Sequence, residues 1–169
     1  MISMTLFTTL GCEQIVDYFR GFHAYTLQSS SMEKTIYKDE TFLCDGNAYK
    51  FAAPMRGDVV AFGHKDLILV KRLIGLPGDK IEGKDGVVSR NGVFLDEPYA
   101  EHIGPSFHDL DRFGPVTVAA DQIFVLGDNR DNSLDSRLDG FGQVKLSDIQ
   151  GKAISILKSE HGRKGQKIQ

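Results

Sequence analysis

Apolar residues fall along this chain in short bursts rather than at helical spacing. "TFLCD" (41–45), "DVVAF" (58–62) and "LILVKRLIG" (67–75) are apolar and partly β-branched, and Gly, Asp, Asn or Pro flank them. "QIFVLGDN" (122–129) and "GKAISIL" (151–157) read the same way. Between them "LPGDKIEGKDG" (76–86) carries turn signals, and "GVVSRNGVFLD" (86–96) predicts a hairpin about Asn91-Gly92. One stretch differs. In "EQIVDYFRGF" (13–22), Ile15, Phe19 and Phe22 fall near one helical face and predict a short helical lead-in. Residues 99–120, rich in Gly, Pro, His and Asp, predict a surface excursion. The sum is a mainly β chain, barrel- or sandwich-like, with a short N-terminal helix. The expected division is a lead-in at 1–24, one catalytic-sized body at 25–158 and a flexible tail at 159–169.

Bulk properties narrow this picture only a little. The chain has 169 residues, enough for one domain with a real core. Its net charge of −3 argues against nucleic acid as a partner, because phosphate binding needs a basic face. The one basic cluster, Arg163, Lys164 and Lys167, reads as part of a solvated end. The two cysteines, Cys12 and Cys44, make no disulfide framework. The longest uncharged stretch, "MISMTLFTTLGC", holds four Ser/Thr and falls well short of the roughly 20 apolar residues of a membrane span. No His-Glu-x-x-His or Cys-x-x-Cys occurs, so neither a metal nor a cofactor is expected.

Candidate chemistry begins at "QSSSM" (28–32). A serine hydroxyl is a weak nucleophile until a base takes its proton, so the serines alone decide nothing. His23, His64, His102, His108 and His161 stand in no recognisable catalytic setting. Lys71 is the unusual residue. By strand parity it shares a face with Leu69 and Leu73, while Arg72 shares the other with Val70 and Ile74. Desolvation on an apolar face disfavours the ammonium, and a lysine base needs its pKa to fall from about 10.4 towards neutrality. The alternative is a lysine that snorkels at a strand edge. A third segment, "LGDNRDNSLDSR" (126–137), packs side chains that fix backbone by short hydrogen bonds, with Asp135 and Arg137 able to pair.

Together these segments resemble the type I signal peptidases, Ser/Lys-dyad serine peptidases that remove signal peptides from exported preproteins. The resemblance rests on "SSSM", "RGDVVAF" (56–62), "VKRLIGLPGDKIE" (70–82) with "GVVSRNGVFLDEPY", and "GDNRDNSLDSR" followed by "FGQV" and "GKA". It covers most of the chain from Tyr25 to Leu157. It implies the signal peptidase fold, with Ser31 as nucleophile, Lys71 as general base and Ser29 in the oxyanion hole. It further implies that Ser133 orients the lysine, that Asp135 and Arg137 form a supporting ion pair, and that Leu27 and Val70 shape pockets for small residues. Its partners would be preprotein signal peptides and a lipid bilayer or membrane protein, and its place the outer face of the cytoplasmic membrane. Gln28, Ser30 and Lys34 depart from the family, which reads Pro, Gly and Pro there; Ser30 is harmless only if its φ is negative. Three alternatives stand beside this reading: a specialised Ser/Lys peptidase of conjugative-pilus or organelle type, an inactive peptide-binding relative, and a LexA-like self-cleaving regulator. The last would carry an Ala-Gly bond, which this chain lacks.

Overall fold

The computed structural model describes residues 12–17, 21–102 and 109–169, and strands dominate them. In chain order these are β1 (Cys12–Asp17), β2 (Phe22–Leu27), β3 (Thr41–Asp45), β4 (Val59–His64), β5 (Leu67–Gly75) and β6 (Lys80–Lys84). There follow β7 (Val87–Arg90), β8 (Val93–Phe94), β9 (Phe113–Thr117), β10 (Gln122–Leu126), β11 (Val144–Lys145) and β12 (Ile149–Lys158). Single 3-10 turns lie at Asp109–Asp111 and Leu146–Asp148.

Eight strands form one sheet in the order β1-β2-β3-β12-β4-β5-β10-β11, and four form a second in the order β8-β7-β6-β9. The unbroken apolar run on β4 is explained by burial on both faces. Val59 and Ala61 join one core cluster with Tyr25, Leu27, Phe42 and Val70, whereas Val60 and Phe62 join another with Leu73, Ile123 and Val125. A third cluster, including Ile74, Ile81, Val88 and Phe124, joins the two sheets. The hairpin about Asn91-Gly92 forms as expected, both residues taking positive φ (54° and 80°).

Three expectations need comment. The helical lead-in expected at 13–22 does not form among the described residues: residues 12–17 are strand β1, paired antiparallel with β2 from Cys12↔Leu27 to Asp17↔Phe22. A helix this short is marginal in water, and a ladder on the neighbouring strand outweighs a weak period. Within the excursion, 113–117 is strand β9 on the edge of the small sheet, although it contains Gly and Pro. The tail is folded back. Ile156 N–H donates to Gln166 (2.9 Å), Ile168 N–H donates to Ile154 (3.0 Å), and Ile168 packs on the first core cluster. The uncharged stretch at 1–11, Phe19 and His108 lie outside the described residues.

Candidate active site

Ser31 sits just past the end of β2, in a turn pinned at both ends. Leu27 exchanges backbone hydrogen bonds with the far side of the loop, its N–H to Glu40 (2.9 Å) and its carbonyl from Asp39 (2.7 Å). Met32 and Ile36 are fully buried in the first core cluster, and Ile36 N–H donates to Met32 (2.8 Å). The side chain before the turn and those after it are therefore anchors, and Ser31 between them is held with 5% of its surface exposed.

Lys71 comes from the middle of β5, where Val60 of β4 lies opposite it and β10 pairs beyond. It is 4% exposed. Its Nζ lies 2.7 Å from Ser31 Oγ and donates to the Val70 carbonyl at 3.0 Å. Ser29 Oγ is 3.2 Å from Ser31 Oγ. An amine is thus in hydrogen-bond reach of one particular serine.

The 126–137 segment forms the third wall. Asp135 and Arg137 make a two-pronged buried pair (2.8 and 2.9 Å), and each also fixes backbone. Asp135 accepts from Gly127 N–H (3.0 Å), and Arg137 donates to the Arg130 carbonyl (2.7 Å). Asn129 N–H donates to the Ser31 carbonyl (3.1 Å), so this loop touches the peptide of Ser31. Ser133 is buried, but its Oγ has no hydrogen-bond partner among the described residues. The bond to Lys71 that the resemblance implies is not made; Ser133 instead stands against Gly127. A Cβ on Gly127 would lie 2.2 Å from Ser133 Oγ and 2.6 Å from the Ser31 carbonyl oxygen. Leu27, Ser29, Ser31, Val70 and Lys71 open onto one groove of about 660 Å³, which Leu69 and Phe141 also line.

The departures resolve differently. Ser30 does not have positive φ, and its Oγ accepts from Asn132 Nδ2 at 2.6 Å, which ties the turn carrying Ser31 to the third wall. Lys34 does have positive φ (80°), and its Nζ donates to the carbonyls of Pro98 (3.1 Å) and Ala100 (3.2 Å). Two further features were not singled out from the sequence. One is Gly127. The other is the buried pair Arg72–Asp128 (2.8 and 2.6 Å), for which a signal existed: an arginine in an apolar strand demands a partner. Among the described residues, His102, Asp111 and Asp131 bring ligand-type atoms within 4.8 Å of one another; His102 and Asp131, 3.4 Å apart, form an ion pair when the imidazole is protonated.

Comparison with known proteins bears on this geometry. A family model described as "Signal peptidase, peptidase S26" matches residues 2–158. The chain belongs to this family. Signal peptidase I P of Bacillus subtilis subsp. natto is 39% identical over 137 residues, which are 77% of this chain and 74% of that protein. Probable signal peptidase I-2 of Synechocystis is 39% identical over 136 residues, 76% of this chain and 59% of that protein. A crystal structure of a signal peptidase I from Enterococcus faecalis is 36% identical, with a TM-score of 0.48 over 59% of this chain and 96% of that one. Membership makes the chain a serine peptidase of the signal peptidase type, for which a Ser/Lys dyad is typical.

Proposed function

We propose that this signal peptidase cleaves preproteins after Ala-x-Ala-like sequences, with Ser31 as nucleophile and Lys71 as general base. The observation that carries the reading is the 2.7 Å approach of Lys71 Nζ to Ser31 Oγ, both groups buried. The neutral amine takes the hydroxyl proton as Ser31 Oγ attacks the scissile carbonyl carbon. The oxyanion is received by Ser31 N–H and Ser29 O–H, donors that typically contribute a few kcal/mol each. The ammonium of Lys71 then protonates the leaving amine, and water hydrolyses the acyl-enzyme by the same route. Asp135 and Arg137 hold the loop that frames the dyad. Leu27 and Val70 leave room for small side chains only. The signal peptide enters as an extended strand along the apolar groove.

Its place of work is the outer face of the cytoplasmic membrane, beside the bilayer through which signal peptides emerge. No helix among the described residues is long and apolar enough to cross a membrane. Protease accessibility in spheroplasts checks the location: protection of the chain until lysis would overturn it.

For the chemistry, a preprotein is incubated in detergent with wild-type protein and single variants. Ser31→Ala and Lys71→Ala are expected to abolish cleavage, a fall of roughly 10³-fold or more. Ser30→Ala is expected to retain most of it. Activity surviving in Ser31→Ala or Lys71→Ala would sink the dyad.

A further inference from the structure

The segment Glu97-Pro98-Tyr99-Ala100-Glu101 belongs to no named strand, yet it touches β5, the loop after Ser31 and the 127–137 loop. Glu97 grips the Arg130 fork, with Nη1 and Nη2 each donating to a carboxylate oxygen at 2.9 Å, and both side chains are buried. Burial alone would lower the Arg130 pKa, but the Glu97 carboxylate outweighs it and raises it. Tyr99 lays its ring on the Arg72 guanidinium, 3.8 Å from the ring centre, and its hydroxyl donates to Glu97 (2.8 Å). Burial and the neighbouring Glu97 raise the phenol's pKa, so it remains a donor. Glu101 N–H donates to Asp128 (2.7 Å) and its carbonyl accepts from Arg130 N–H (2.9 Å), an isolated bridge to the 127–137 loop. Lys34, from the nucleophile loop, donates to Pro98 and Ala100.

Each contact leads to a reacting group in one or two steps. Arg72 is the neighbour of Lys71 on β5 and also holds Asp128. Asp128 and Arg130 flank Asn129, whose N–H fixes the Ser31 carbonyl. Two guanidinium groups and two carboxylates (Arg72, Arg130, Asp128, Glu97) balance one another out of water. Such a set holds its geometry only while complete, since removing one partner strands a buried charge.

We propose that Glu97 and Tyr99 are positioning residues for the Ser31–Lys71 dyad, acting through Arg130 and Arg72. The strap they form holds β5, the nucleophile turn and the 127–137 loop in register, so that Nζ and Oγ meet. The proposal rests on the peptidase reading above, and Ser31→Ala is the control for that reading.

The test measures turnover per active site, with sites counted by a covalent serine-directed acylating probe. Glu97→Gln is expected to lower kcat about 10- to 100-fold with KM changed less than about twofold. Tyr99→Phe, which keeps the ring on Arg72, is expected to lose less than Tyr99→Leu. A merely structural role would lower the melting temperature and the number of titratable sites while leaving kcat per titrated site unchanged, and that result would overturn the proposal. Should Glu97→Gln fail to fold, the Tyr99 pair decides by the same measure, with equal kcat in Phe and Leu variants overturning it. Cleavage persisting in Ser31→Ala would instead overturn the peptidase reading itself.

Discussion

At the residue scale the sharpest constraint is on an atom that is missing. Gly127 has no Cβ, and the space where one would stand is taken by Ser133 Oγ and the Ser31 carbonyl. The Ser31 carbonyl cannot retreat cheaply, because it is backbone already held by Asn129 N–H. Gly127→Ala is therefore expected to push the turn carrying Ser31 away from Lys71, lowering kcat roughly 100-fold while the protein stays folded. A steady-state assay with a circular dichroism melt checks it; near wild-type kcat would refute the packing argument. The sequence did single out Ser31 and Lys71, because the dyad's chemistry needs those residue types and the resemblance supplied the positions. Gly127 stayed hidden because its role lies in two side-chain neighbours that only folding brings close.

At the scale of elements, one carboxylate adds a polar tie to the apolar cluster that joins the two sheets. Asp79, at the turn entering β6, accepts from Arg56 (2.7 and 2.8 Å), from Leu76 N–H (2.9 Å) and from Asn91 of the β7–β8 hairpin (3.0 Å). Burial would raise its pKa, but the Arg56 guanidinium, the Leu76 amide and the Asn91 side chain together hold it below the usual carboxylate range. A carboxylate with a lowered folded pKa stabilises in full above the unfolded value of about 4, and that stability is lost as pH falls through the folded value. Asp79→Asn is thus expected to cost about 1–2 kcal/mol at neutral pH. The gap from wild type should close on acidification below about pH 4, as urea melts at stepped pH would record. A gap that stays constant would contradict the ion-pair account. Most elements were legible, because alternating or wholly apolar runs bounded by turn residues carry their own period. The misread ones, β1 and β9, owe their strand state to the ladders they form with β2 and β6, and not to their own residue pattern.

At the scale of the whole molecule, the final residues close the first core cluster. Arg163 pairs with Glu40 (3.2 Å), donates to the Thr35 carbonyl (2.7 Å) and stacks on Tyr37, while the Gln169 carbonyl accepts from Arg72 (2.8 Å). The sequence suggested a loose basic end here, since charge runs are usually solvated and nothing local marks Ile168 as a core residue. Deleting residues 163–169 is expected to strand the buried Glu40 carboxylate and expose the core beneath Ile168, costing roughly 2 kcal/mol or more. Differential scanning calorimetry should show a clearly lowered melting temperature; an unchanged one would mean the docking contributes nothing.

Lys34 carries a consequence of another kind. Its backbone sits at φ 80°, while a proline ring holds φ near −65°, so the residue the family uses at this position does not fit the turn as it stands. The passage between the two therefore cannot be one neutral exchange. It requires the turn to change its path, and with it the contacts that Lys34 makes to Pro98 and Ala100. A proline at position 34 would thus remove at once a left-handed residue and the two hydrogen bonds that tie this turn to the 97–101 segment.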